Sequence, residues 1–125
     1  ASRSNADERE RAMPILKDLK IKTNSVIRMQ KDLGATAKEI ARQEKRIQEY
    51  KDDPTREPED VKKQEEVLAE YLAGRTDEKN RLGEFAETLS KFMEDNKAEL
   101  DELKEDEQYK AAVQALADAK ACLSS

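Results

Sequence analysis

From Ile15 to Tyr50 the apolar residues return at alternating steps of four and three, and that regularity leaves the chain little choice of fold. Ile15, Leu19, Val26, Met29, Leu33, Ile40, Ile47 and Tyr50 stand on the ladder, and its remaining rungs are Lys22, Thr36 and Gln43. A heptad seam with three polar insertions and unbroken phase predicts one long amphipathic helix. Such a helix, roughly 55 Å long at about 1.5 Å per residue, cannot bury its seam against itself. The rest of the chain must supply the opposing wall.

The first helix is expected to begin at Met13 or Pro14, where a first-turn proline costs nothing, and to stop before Asp53-Pro54. Pro58 repeats the stop signal, so Asp52 to Glu57 reads as a surface connection that reverses the chain. Gly34 inside this helix costs about 1 kcal/mol against alanine and suggests close packing against a neighbour.

The second helix opens on Pro58-Glu59-Asp60, acidic residues suited to the positive end of a helix dipole. Its seam runs through Val61, Leu68, Leu72, Leu82, Leu89, Met93, Asn96, Leu100 and Leu103, with Glu65, Arg75, Lys79 and Ala86 filling the intermediate rungs. The middle is weak, since Ala73-Gly74-Arg75-Thr76-Asp77 holds a glycine beside charged seam positions. A kink there, or a fresh start capped by Thr76, stands as the alternative to one continuous helix. Phe85 and Phe92 widen the apolar stripe in the later half, as Leu16 and Ile27 do early in the first helix, and a wide stripe calls for two neighbours. The third helix fills that place: Asp106 is a candidate N-cap, and Tyr109, Val113, Leu116 and Leu123 follow down one face. The expected architecture is all-α, an elongated antiparallel three-helix bundle with coiled-coil-like packing and helices near 14–51, 59–104 and 106–123. Residues 1–12 read as a disordered N-terminal segment or an expression remnant.

Composition limits function. With 42% charged, 36% hydrophobic and 4% aromatic residues, the chain has material for a narrow core only. Histidine is absent, Cys122 is the lone cysteine, and Gly34, Gly74 and Gly83 are isolated, which removes His-based triads, thiolate clusters and glycine-rich phosphate loops. Acidic pairs at helical spacing read as solvated faces, so no enzyme, metal or cofactor is expected. The lone cysteine and the lack of an apolar run of about 18 residues point to a reducing compartment with no membrane span. Residues 17–46 carry nine Lys/Arg against four Asp/Glu, and residues 94–107 carry eight Asp/Glu against two lysines, so the two stretches should attract. Net charge of −5 and a basic stretch without interleaved aromatics argue against a nucleic-acid partner. Ile21 points opposite the seam, as an exposed contact or an incidental surface residue. Tyr71 and Leu72 sit where the seam broadens, either packed on the first helix or open to a partner.

Three segments carry a resemblance. Leu19-Lys-Ile-Lys-Thr23 with Val26-Ile-Arg-Met-Gln-Lys31, then Asp60-Val-Lys-Lys-Gln-Glu-Glu-Val-Leu68, then Glu107-Gln-Tyr-Lys-Ala-Ala111 with Val113, resemble the tubulin-binding cofactor A family in order and spacing. The run Ala73 to Asp77 departs from the apolar, proline-containing run the family carries there; only Asp77 matches. What the resemblance implies is a non-catalytic, cytoplasmic, cytoskeleton-associated chaperone. It would capture β-tubulin released from the chaperonin, shield the surface that later faces α-tubulin, and pass β-tubulin on through the other tubulin-folding cofactors. The family's bundle is a monomer or a weak homodimer. The face expected to meet the partner holds Lys20, Ile21, Lys22 and Thr23, with Lys62, Lys63 and Tyr71 on the second helix and Tyr109 and Lys110 on the third. The alternative is a structural coiled-coil module that self-associates through the two-helix end.

Overall fold

The computed structural model describes residues 5–125, with side chains from Asp7 onward except that of Glu8. Five helices follow in order: α1 (Asn5–Arg11), α2 (Met13–Asp52), α3 (Pro58–Asp95), α4 (Lys97–Asp101) and α5 (Glu107–Ser124). The fold is all-α, with no strand among the described residues. The chain divides into two compact units, one of Ala1–Gln30 with Leu82–Ser125, the other of Lys31–Arg81.

The first unit is where three helices meet. The Lys22 ammonium of α2 stands 4.6 Å from the centre of the Phe92 ring of α3. Gln30 of α2 donates its side-chain amide to the carbonyl of Ala115 in α5 at 2.9 Å. Ala86 and Ser90 of α3 border a groove with Leu116 and Lys120 of α5. The core between them holds Leu16, Leu19, Thr23, Val26 and Met29 of α2, Leu82 and Leu89 of α3, Leu100 and Leu103 around α4, and Ala112, Ala115 and Ala119 of α5.

Two expected seams are rotated in this unit. On α2 the buried positions are Leu16 and Thr23, where the ladder put Ile15 and Lys22; both of those are only half-buried. A helix with two neighbours buries the arc between them, not the line a single partner would cover. On α5 the buried line is Ala112, Ala115 and Ala119, whereas Val113 and Leu123, expected in the core, are 46% and 38% exposed. Alanine leaves no side chain beyond Cβ, so this face lets the α5 backbone sit close against its neighbours, and the larger residues are displaced to its flank.

The second unit is a hairpin of the two long helices. Leu33, Ile40 and Ile47 of α2 are buried in it. Its polar rungs are paired across the hairpin: Gln43 donates its amide to the carbonyl and side-chain oxygens of Gln64 at 2.8 and 2.9 Å, and Thr36 donates its hydroxyl to Glu78 at 2.8 Å. Pairing of this kind satisfies polar groups taken out of water and fixes the register of the two strands of the seam.

The turn between α2 and α3 is built from its own side chains. Asp53 accepts from the Thr55 hydroxyl at 2.7 Å and the Thr55 N–H at 2.9 Å. These bonds and the nearby Arg56 hold its carboxyl below the ordinary value of 3.8. Arg56 in turn lies over the Tyr50 ring at 4.1 Å. Pro58 takes the first helical position of α3, and Asp60 reaches back to accept from the Glu57 N–H at 3.0 Å, one half of a capping box.

Three further expectations are corrected, and one alternative, the fresh start at Thr76, gives way to the continuous helix that was expected. Of residues 1–12, read as disordered or as an expression remnant, residues 5–11 form α1, which sets aside disorder for them; residues 1–4 lie outside the described residues. The helix expected over 59–104 ends at Asp95, because Asn96 has φ −111° and ψ 22° and turns its amide back onto the Phe92 carbonyl at 2.8 Å. Gly34 is not a close-packing site, since a Cβ there would meet nothing within 4 Å. Thr76 starts no new helix: α3 is continuous through it, and its hydroxyl donates to the Leu72 carbonyl at 3.2 Å, one turn back.

Candidate partner-binding surface

A partner that docks on helices needs exposed anchors, and Ile21 is the most exposed large apolar residue of the described chain, at 56%. The helical step explains it. Lys20 borders a cavity shared with Gln108 of α5, and Lys22 reaches Phe92 of α3, so Ile21 between them points away from both neighbours. Lys20 is exposed and Lys22 is half-buried, its ammonium already engaged with the ring.

Thr23 is not part of that surface. It is 1% exposed and looks into the core, where its hydroxyl has no hydrogen-bond partner. The four-residue block Lys20 to Thr23 therefore splits: two residues are open, one is committed to an aromatic ring, and one is interior.

On α5, Tyr109 is half-buried and Lys110 exposed, with the Lys110 ammonium 3.4 Å from the Glu105 carboxylate. Tyr109, Val113, Leu116 and Lys120 recur at steps of four, three and four, and the last two border the groove with α3. Gln108 and Ala115 lie on the buried side of α5, which faces α2. Tyr109 and Lys20 thus lie on different sides of α5 and do not form one face. Lys62 and Lys63 are exposed and Tyr71 is half-buried, all in the second unit.

The charge attraction read from the sequence is not realised as contacts: among the described residues no ion pair joins residues 17–46 to residues 94–107, whose acidic side chains pair elsewhere. Of the acidic residues 94–107, Asp106 pairs with Arg9 at 2.7 Å, Glu105 with Lys110 and Asp101 with Lys104. Lys17 and Lys20 have no carboxylate within 4 Å among the described residues. Both border a cavity of about 560 Å3, together with Arg9, Met13, Pro14, Leu16 and Gln108. Periodicity did not reveal this cavity, because it is formed by the junction of α1 and α2, a stretch without a heptad signal. The apolar flank of α5 was equally hidden, since Val113 and Leu123 stood on the stripe read as core.

Among the described residues, no group of three or more His, Cys, Asp or Glu side chains could hold a metal ion. No helix among them is long and apolar enough to cross a membrane.

The family model described as tubulin binding cofactor A matches residues 14–116. The chain belongs to that family. Two solved structures are similar to it. Tubulin folding cofactor A from Arabidopsis thaliana superposes with a TM-score of 0.71 at 30% identity, over 86% of this chain and 97% of that one. Human tubulin chaperone cofactor a gives a TM-score of 0.69 at 32% identity, over 86% of this chain and 99% of that one. No curated protein matches significantly. The match of the family covers nearly all of α2, all of α3 and the first half of α5, so membership rests on both units and not on one motif.

Proposed function

We propose that this chain is a tubulin chaperone of the cytoplasm that captures β-tubulin after its release from the chaperonin. It holds β-tubulin for the other folding cofactors until the αβ heterodimer assembles. The observation that carries the reading is the family match over residues 14–116, supported by likeness to two tubulin cofactor structures along nearly their whole length. The physical design agrees with holding and not with turnover: the exposed surface is helical and charged, with single apolar anchors such as Ile21.

In this reading Ile21 and Lys20 form one contact, and Lys62, Lys63 and Tyr71 belong to the second unit's contribution. Tyr109 and Lys110 make a separate patch on α5. Self-association through the hairpin is less favoured, because Leu33, Ile40 and Ile47 are already covered and Leu72 is its one exposed large apolar residue.

The test is co-elution of the purified chain with free β-tubulin on a sizing column, with intact αβ heterodimer as the control. A complex with free β-tubulin alone supports the proposal. Co-elution with neither species, or equally with both, overturns it.

A further inference from the structure

We propose that the cavity at the head of α2 is a docking site for an acidic peptide segment that carries one apolar side chain. The proposal goes beyond the tubulin reading and does not depend on it. The cavity, of about 560 Å3, falls in the range of pockets that enclose a small ligand or a single large side chain. Its apolar wall is made by Met13, Pro14 and Leu16, and Met13 remains 46% exposed, with its sulfur accepting from the Arg9 guanidinium at 3.4 Å. An apolar side chain entering the cavity would cover that wall and remove its contact with water.

The rim carries the charge argument. Lys17 and Lys20 stand on it with no carboxylate within 4 Å among the described residues, even though residues 94–107 of the same unit carry eight acidic side chains. Arg9, the third cation, is held by Asp106 at 2.7 Å and so stays fixed at the edge. The Gln108 side chain has no hydrogen-bond partner among the described residues and can serve a peptide backbone. Two unengaged ammoniums beside an apolar recess fit carboxylates next to a buried anchor, the arrangement in which complementary charge steers encounter and the anchor supplies affinity. Among the described residues no aromatic lines the cavity to stack a base, so the usual grip on single-stranded nucleic acid is missing there. Of the apolar wall only Met13 and Pro14 are exposed, too small an area for the broad face that lies on a bilayer.

The experiment is an anisotropy titration of the full chain into a labelled peptide of glutamates flanking one phenylalanine, at low and moderate salt. Saturable, salt-sensitive binding is expected. The Lys17→Glu/Lys20→Glu variant should bind about tenfold more weakly or worse, and so should the parent when serine replaces the phenylalanine of the peptide, a loss of about 1.4 kcal/mol in each case. A Lys31→Glu/Lys38→Glu variant, with charge reversed away from the cavity, should bind as the parent does. Circular dichroism checks that each variant is folded, and Lys17→Gln/Lys20→Gln replaces the charge reversal if it is not. Absence of binding, equal binding of the serine peptide, or an equal loss in the Lys31/Lys38 variant overturns the proposal. Tighter binding to phosphatidylserine vesicles than to the peptide overturns it in favour of a membrane site.

Discussion

Arg9 and Asp106 meet at 2.7 Å across 97 positions of sequence, and the carboxylate that receives Arg9 is also the N-cap of α5. One oxygen of Asp106 accepts from the Gln108 N–H at 2.9 Å and the other takes the Arg9 guanidinium. The cap is a local bond within the third long helix, while the ion pair ties α1 to it. Replacing Asp106 with alanine removes both and should cost about 1 kcal/mol, most of it from the cap. Asp106→Asn keeps a capping oxygen and should stay within a few tenths of a kcal/mol of the parent, as read by urea denaturation.

Thr23 gives a prediction of opposite sign. Its hydroxyl is buried without a partner, so its desolvation is not offset by a hydrogen bond. Thr23→Val retains the branched shape and removes the polar atom. The urea midpoint should rise, corresponding to about 1 kcal/mol of added stability.

Glycine substitution should stabilise as well. Gly34 and Gly74 lie within α2 and α3, neither has a positive φ, and a Cβ at either would meet nothing within 4 Å. Alanine at each position should add about 1 kcal/mol by helix propensity, and the two effects should sum in thermal or urea unfolding.

The turn supplies a pH dependence. Hydrogen bonds from Thr55, and Arg56 nearby, favour the charged form of Asp53, whose value in the folded protein therefore lies below the ordinary 3.8. A depressed carboxyl contributes stability that is complete above its unfolded value and is lost as pH falls through the folded one. Asp53→Asn should accordingly melt below the parent at pH 6, and the difference should close as the pH is lowered past 3.8. Thermal unfolding followed by circular dichroism across that window measures it.

Ile21 tests the surface and not the fold. At 56% exposure, an aspartate in its place should leave the melting temperature nearly unchanged. If Ile21 anchors the partner, Ile21→Asp should weaken co-elution with β-tubulin by about tenfold or more, the scale of an anchor side chain lost from an interface.

The long helices were legible because a repeat of four and three over so many residues admits one conformation. Boundaries marked by chemistry were legible too: Pro54 and Pro58 around the turn, and Asp106 at the start of α5. What escaped the periodic reading had local or tertiary causes. The break at Asn96 depends on a side-chain amide bonding its own helix, which no spacing reports. The exchange of Lys22 for Thr23 in the core, and of Val113 for Ala112, follows from a helix serving two neighbours whose directions are set only once the chain has folded. The candidate surface suffered from the same cause: Ile21 was read correctly as outward, while Thr23, two residues on, turned out to belong to the interior.

The buried face of α5 is a row of methyl groups, Ala112, Ala115 and Ala119. Such a face sets its spacing by the backbone itself. A leucine elsewhere in the core can trade for methionine or isoleucine with a shift of a rotamer, but one added carbon on this row must move a whole helix. The three smallest side chains of the core are therefore the ones that drift in sequence can least enlarge, and the two larger helices are free to vary only within the gap those alanines define.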